Sequence, residues 1–394
     1  MRAFTYYVPT EVIFGKDSVE QIVPMVQKYG GTQVLLVYGG GSVLRSGLLQ
    51  RIEQLLDGAG IGHARFGGVK PNPTLEKARE GVAAAVGMGA DMILGVGGGS
   101  AIDTAKAIAH GAAAPDIDIW NYWLGQEQVK ASLPIGAVLT IPATGTETSD
   151  SSVLTNMSTG QKRGLSCQAN RAKFAIMDPA LCATLPKYQV ACGVTDILMH
   201  TLDRYFCAND DNETTDEIAE AILRVTMKNG PLVYADAGNY HAMSEILWCG
   251  SLSHCDLTGC GGNRDFSPHR LGHELSGKFD VAHGASLSTV WCHFANHVLP
   301  YKPERFARFA VNVLQMEPSE DPVALGRAAI EKMHSFFRSL DMPTNFTELG
   351  IGVQKEDVIE DLALRCSRDK TITIGSLHPM AYEEMKEIYE ACNF

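Results

Sequence analysis

Apolar and polar positions change their rhythm partway along the chain. Up to about residue 180, short unbroken apolar runs alternate with longer stretches in which apolar residues return every three or four positions. Val34–Val37, Met92–Val96 and Ile135–Ile141 are such runs. Their lack of polar alternation predicts strands buried on both faces, as in a parallel sheet. Residues 17–29, 44–57, 74–87 and 101–112 between them predict helices. Residues 1–15 and 63–69 read as extended, and 151–178 as two strands around a polar turn at Ser158-Thr159-Gly160. From about residue 186 strand signals nearly vanish, and helical periodicity covers 214–228, 243–257, 303–316, 323–340 and 355–367. The expectation is an α/β domain with a parallel sheet over residues 1–184 and an all-helical domain over 185–394.

Composition narrows the function classes. The 394 residues are 45% hydrophobic and carry a net charge of -12 with no Lys/Arg block, so nucleic acid is not an expected partner. No apolar run reaches the ~18 residues of a membrane span. The opening MRAFTYYVPTEVIFG has neither the apolar core nor the small-residue cleavage site of a secretory signal. Ten cysteines are scattered without CxxC pairs, as reduced thiols are, which makes the cytoplasm the expected compartment.

Two of the strand-to-helix junctions are glycine-rich. Met92–Val96 runs into Gly97-Gly98-Gly99-Ser100, and a helix follows at once. Glycines let the backbone turn tightly and approach an anion, and the N-terminus of the next helix favours a pyrophosphate. Ser100-x-x-Asp103 has the spacing of a capping box. Gly95-x-Gly97-x-x-Ser100 resembles the dinucleotide fingerprint of Rossmann-like domains, with Ser in the third place. Val34–Val37 leads into a second such turn, Gly39-Gly40-Gly41-Ser42. Folds of this kind that use NAD often place a carboxylate there for the ribose 2′-hydroxyl. A neutral, N–H-rich turn suits a 2′-phosphate instead, which favours NADP(H) over NAD(H). Either turn can also be a plain tight connection.

The helical half concentrates metal-binding side chains. His269, His273 and His283 fall within fifteen residues, and the first two, four apart, share one helix face. The helix is expected to break in Gly277-Lys278-Phe279-Asp280, before His283. Upstream, Asp196 and His200 are also four apart, in an apolar helical segment. Groups of this type on two helices suggest one metal between them. The spacing alone is weak: His293 and His297 repeat it. Mixed nitrogen and oxygen donors suit Fe²⁺, Zn²⁺, Co²⁺ or Ni²⁺.

Taken together, Pro71-Asn72-Pro73-Thr74, the 97–106 stretch GGGSAIDTAK, Pro142-Ala143-Thr144-Gly145-Thr146-Glu147, Asp196-x3-His200 and His269-x3-His273-x9-His283 resemble the iron-dependent (group III) alcohol dehydrogenases. The chain is most similar to their NADPH-dependent butanol dehydrogenase and aldehyde reductase branch. The resemblance implies a Rossmann-like sheet domain followed by helices, the architecture of dehydroquinate synthase. It implies Asp196, His200, His269 and His283 as metal ligands, with Fe²⁺ as the metal and Zn²⁺ the alternative. His273 would be the non-ligand histidine that relays a proton beside the nicotinamide. Gly97, Gly98, Gly99, Ser100 and Asp103 would hold the pyrophosphate. Thr140, Thr144 and Lys162 would be further cofactor contacts, and Asn72 one near the nicotinamide end. Small alcohols and aldehydes of butanol or butanal size are the implied substrates, and a homodimer the implied assembly. The glycine-rich, polar segment at 259–268 departs from the family pattern and leaves chain-length preference open. Competing readings are an NAD-linked glycerol or diol dehydrogenase and, more remotely, a dehydroquinate-synthase-like lyase, which would need more basic residues than Arg204, Lys228, Arg264, Arg270 and Lys278 supply. A non-catalytic metal sensor would have no need of a relay histidine at position 273.

Overall fold

The computed structural model describes residues 1–209 and 211–394. Two compact units emerge, one of Tyr7–Leu185 with Gly238–Ser251, the other of Met1–Tyr6, Pro186–Ala237 and Leu252–Phe394.

In the first unit the strands are β1 (Glu11–Phe14), β2 (Gln33–Tyr38), β3 (Gly62–Phe66), β4 (Met92–Gly97) and β5 (Ile135–Leu139). β6 (Ser151–Asn156) and β7 (Gln161–Ser166) form an antiparallel hairpin outside the main sheet, and β8 (Phe174–Met177) returns to it. The main sheet has the order β1-β8-β5-β4-β2-β3 and is parallel throughout. Residues 151–178 thus hold three strands where the sequence suggested two. The short third run is too small to separate by pattern from the hairpin before it. Its helices are α1 (Ile22–Lys28), α2 (Ser42–Arg45), α3 (Leu48–Gly58), α4 (Leu75–Met88), α5 (Gly99–Ala113) and α6 (Trp120–Trp123).

β4 and β5 are buried at every position, as their unbroken apolar runs require. Val34, Leu36, Leu94, Val96, Val138 and Ile176 form one core with Ile22 and Val26 of α1 and Ile52 and Leu56 of α3. Each side chain so buried contributes roughly 1.5–3 kcal/mol relative to exposure. The expected helix 44–57 is two helices, because Gly47 adopts a left-handed φ of 75° between α2 and α3. The expected helix 17–29 begins as a 3-10 turn, Ser18–Gln21, before α1.

The second unit is helical: α7 (Lys187–Tyr205), α8 (Glu213–Ala235), the end of α9 (Tyr240–His254), α10 (Ser267–Phe279), α11 (His283–Val298), α12 (Pro303–Asn312), α13 (Pro322–Ser339), α14 (Glu356–Cys366) and α15 (Tyr382–Ala391). α9 starts three residues earlier than its periodicity suggested. α10 runs through Gly277-Lys278-Phe279 and stops only at Asp280, whose φ is 52°. Among the described residues no helix is long and apolar enough to cross a membrane.

Candidate metal centre and nucleotide-binding turns

Three helices, not two, assemble the histidine cluster. Asp196 and His200 share a face of α7, His269 lies in the first turn of α10, and His283 is the first residue of α11. Close approach of α11 to α7 depends on Gly284. A Cβ at that position would lie 2.3 Å from the Cys192 carbonyl oxygen, one turn before Asp196. Only glycine lets the two backbones touch there, and the touch delivers His283 to the cluster.

Around Asp196 Oδ1 stand three imidazole nitrogens: His200 Nε2 at 3.5 Å, His283 Nε2 at 3.6 Å and His269 Nε2 at 3.8 Å. Four donors on a tetrahedron with bonds of about 2.0–2.2 Å are separated by roughly 3.3–3.6 Å. Asp196, His200 and His269 are at most 5% exposed. Among the described residues, Asp196 Oδ1 and His269 Nε2 are buried without a hydrogen-bond partner. Orphaned buried polar atoms demand an explanation, and an ion is one that fits this donor set.

The surroundings fix which nitrogen each ring presents. His269 Nδ1 donates to Asp203 Oδ2 at 2.6 Å, leaving Nε2 turned toward Asp196. Such a carboxylate behind a histidine sets its tautomer and raises its basicity. Burial opposes a proton on His269, but the carboxylates of Asp203 and Asp196 outweigh it and lift the ring to about 9. His200 goes the other way: burial, then the neighbouring imidazoles of His254 and His269, hold it well below its usual range. Its lone pair is therefore available for coordination at neutral pH. His254 Nδ1 lies 2.7 Å from His200 Nδ1. His273 is half-buried one turn along α10, its ring centroid 6.2 Å from that of His269 and 5.3 Å from that of His283. Asp203 and His254 are absent from the sequence reading. Asp203 continues the Asp196–His200 stripe at i, i+7, which was a usable signal, whereas His254 carries none. The pair His293 and His297 lies further along α11, with His293 bonded to the Thr344 carbonyl at 3.1 Å.

Both glycine-rich turns leave the carboxyl ends of adjacent strands. β2 ends at Tyr38 beside Val96 of β4, and chain order reverses between these two strands, since β3 lies outside β2 while β5 lies beyond β4. That switch point is where open α/β sheets bind their ligands. Gly98 is the N-cap of α5, and no side chain caps the first-turn N–H groups. The loop after β5 crosses close above. A Cβ on Gly98 would lie 2.8 Å from Ile141, and one on Gly99 2.7 Å from Thr144 Oγ1. Thr140 N donates to the Gly97 carbonyl at 3.0 Å. Gly97–Ser100, Thr140 and Thr144 are thus one cluster.

The capping box does not form. Ser100 lies inside the first turn of α5, and Asp103 turns inward, accepting from Val153 N at 2.9 Å and from the Thr146 hydroxyl. A helix that begins on glycine leaves position 103 free to tie α5 to β6. Lys106, wholly buried, donates to Thr146 Oγ1 at 2.8 Å and to the Ser151 carbonyl at 2.6 Å. A third cluster joins Lys162 of β7 to Asn72, Nζ to Oδ1 at 2.9 Å. At Gly39–Ser42 no carboxylate is present, and Arg45 Nη1 lies 2.5 Å from where a Gly41 side chain would begin.

Comparison with known proteins identifies the family. Residues 9–179 match the model of the iron-containing alcohol dehydrogenase family and residues 190–393 that of its C-terminal part. NADH-dependent butanol dehydrogenase A of Clostridium acetobutylicum is 35% identical, the match covering 99% of each chain. The NADPH-dependent aldehyde reductase YqhD of Escherichia coli is 30% identical over 99% of this chain and 100% of its own. The crystal structure of NADH-dependent butanol dehydrogenase A from Thermotoga maritima superimposes with a TM-score of 0.95 at 32% identity, covering 100% of this chain and 99% of that one. With both halves matched and relatives similar over their full length, the chain belongs to the iron-containing alcohol dehydrogenase family.

Proposed function

We propose that the chain moves a hydride between NADP(H) and small alcohols or aldehydes of about butanol size, with one Fe²⁺ held by Asp196, His200, His269 and His283. The observation that carries this is the buried Asp196 oxygen ringed by three Nε2 atoms at 3.5–3.8 Å. Fe²⁺ is preferred over Zn²⁺ because the family is iron-containing and no cysteine stands in the ligand set. When bound, the metal would supply Lewis acidity toward a substrate oxygen and the nicotinamide the hydride.

The protein's own groups do the rest. Asp203 holds His269 in the tautomer that presents Nε2. His273, beside His283 but outside the ligand set, passes the alcohol proton. Gly97, Gly98, Gly99, Ser100, Thr140 and Thr144 take the pyrophosphate against the N-terminus of α5, and Asn72 and Lys162 take the ribose and nicotinamide end. Asp103 supports the turn from behind rather than meeting the phosphates. Gly39, Gly40, Gly41 and Ser42 receive the 2′-phosphate. NADP(H) is favoured over NAD(H) by the missing carboxylate and by Arg45 above that turn, a guanidinium suited to phosphate. Among relatives, one is named for NADH and another for NADPH. Residues 1–184 serve as the dinucleotide domain and 185–394 as the metal domain, apart from Met1–Tyr6 and Gly238–Ser251, which each belong to the opposite compact unit. Exposed Phe4, Tyr6 and Tyr7, which precede β1 in the chain, support a homodimer, and ten cysteines outside any disulfide a reducing cytoplasm. The test is oxidation of NADPH and of NADH by iron-loaded protein over a series of short aldehydes. Equal or better kcat/KM with NADH sinks the cofactor assignment, and no turnover of any aldehyde sinks the reaction.

A further inference from the structure

The other end of α11 holds a second set of metal-binding side chains. His297, in the last turn, is fourteen residues beyond His283. At ~1.5 Å per residue the two positions are roughly 21 Å apart. His378, from the segment before α15, and Glu384 of α15 meet it. Glu384 Oε1 is 2.6 Å from His378 Nε2 and 3.3 Å from His297 Nε2. One donor atom from each of the three residues lies within 4.8 Å of the other two.

Each donor is aimed by something behind it. Glu384 Oε2 accepts the Ala381 N–H at 3.0 Å, which turns Oε1 toward the imidazoles. The His378 ring lies flat on Tyr301, centroids 3.5 Å apart and planes 9° from parallel. Glu387, on the same face of α15, brings Oε2 to 3.9 Å from His297 Nδ1. Among the described residues neither Glu384 nor Glu387 pairs with a lysine or arginine. Two carboxylates thus stand against imidazoles alone, an arrangement short of positive charge. His297, His378 and Glu384 are between 20 and 25% exposed, so an ion can reach them from solvent.

We propose that His297, His378 and Glu384 form a second cation site, for Zn²⁺, separate from the Asp196 centre. Two imidazoles and a carboxylate are three of the four ligands zinc takes in a tetrahedron, with water as the fourth. Ca²⁺ and Mg²⁺ require more oxygens than this set offers. A bound ion would clamp α11 and α15 to the segment between Ile374 and Met380. That segment is itself tied to α10: Ser376 N and Leu377 N donate to Asp265 Oδ2 at 2.7 and 2.9 Å, and Asp265 Oδ1 accepts Ser267 N at 3.0 Å at the head of the helix that carries His269.

The test is zinc stoichiometry. Chelator-stripped protein is dialysed against buffered Zn²⁺ at pH 7.5 and metal per chain is counted by elemental analysis. Wild type should hold two, and His378→Gln and His297→Gln one each, with zinc affinity at this site lowered more than ~100-fold, beyond the range for losing an outer-shell partner. Glutamine keeps a donor for Glu384, so a cluster that only holds α15 by hydrogen bonds would leave the count unchanged. His269→Ala should also hold one, and His269→Ala combined with His378→Gln none, which assigns each ion to its own site. Matching far-UV circular dichroism verifies folding, and if one glutamine variant fails it, the other gives the same reading. Equal zinc content and affinity in wild type and both glutamine variants overturns the proposal, as does a wild type whose single zinc is lost in His269→Ala.

Discussion

Replacing Asp203 by asparagine tests the Asp196 centre without removing a ligand. The side chain keeps its shape, so the buried packing of α7 against α10 is conserved and little stability should be lost. What changes is the group behind His269. The carboxylate now accepts from Nδ1 at 2.6 Å. An amide either accepts without the charge or turns its NH₂ toward the ring and forces the proton onto Nε2, the nitrogen that faces Asp196. Outer-shell changes of this kind typically reduce metal affinity by about 10–100-fold, or about 1.4–2.7 kcal/mol. His269→Ala deletes a ligand and should exceed that range. His273→Ala should leave affinity unchanged while lowering kcat by on the order of 10²–10⁴-fold and altering its pH profile. Competition of each variant against a chromophoric chelator gives the affinities, and steady-state NADPH oxidation on the metal-loaded forms gives kcat. The expected order of affinity loss is His269→Ala, then Asp203→Asn, then His273→Ala at wild-type level. Wild-type affinity in Asp203→Asn would show that the tautomer of His269 is set elsewhere. A metal-free His273→Ala beside a loaded His269→Ala would exchange the two roles.

Gly39→Asp should repel a 2′-phosphate and shift kcat/KM toward NADH by at least roughly tenfold, the scale of a lost phosphate contact. Its Cβ would lie 3.3 Å from the Val69 carbonyl, so a modest drop in melting temperature is also expected, and unchanged cofactor preference would refute the assignment. Gly284→Ala puts a methyl 2.3 Å from the Cys192 carbonyl and should destabilise by about 1–3 kcal/mol while lowering metal content; a variant with wild-type metal content and urea midpoint would remove Gly284 from its role at the centre. His110, fully buried between Ser132 Oγ and Asn170 Oδ1, is pushed down to about 4 by burial. The unfolded chain therefore takes up this proton first as pH falls. Stability is intact above about pH 6.5 and declines by up to about 3 kcal/mol by pH ~4. Urea unfolding across that window should show the slope, and His110→Gln should flatten it; an equal slope in the variant would assign the pH dependence to other groups.

The parts of the molecule written as local patterns were open to reading, and the parts written as tertiary contacts were not. Val34–Val37 and Met92–Val96 announce buried parallel strands because nothing polar interrupts them, and the glycines after each announce the turn. The i, i+4 spacings announce which faces carry Asp196 with His200 and His269 with His273. Which three helices meet depends on Gly284 lacking a side chain opposite Cys192, and no periodicity encodes that. Asp103 shows the same limit. Its spacing from Ser100 fits a cap, but the partners that claim it, Val153 and Thr146, lie more than forty residues away. Local propensity misled at α10 too: Gly277 is a poor helix former, yet a helix packed on its neighbours tolerates one and continues to Asp280.

The pairing of β1 with β8 has a consequence for how the chain reaches its fold during synthesis. Glu11 finds its partner in Phe174, and neighbouring pairs run on to Phe14 and Met177. A ribosome adding about 5–20 residues per second needs roughly 8–30 s to make the ~160 residues between them. Throughout that time β2, β3, β4 and β5 can assemble, while the first strand to emerge has nowhere to go. The flank of β5 that β8 will cover stays open for a shorter time, the roughly 2–7 s needed to make the ~35 residues from Leu139 to Phe174, as a bare edge able to pair with another nascent chain. Crowding of ribosomes on one message should therefore harm yield more than it does for proteins whose first strand pairs with its neighbour, and slowing translation after residue 177 should bring no further benefit.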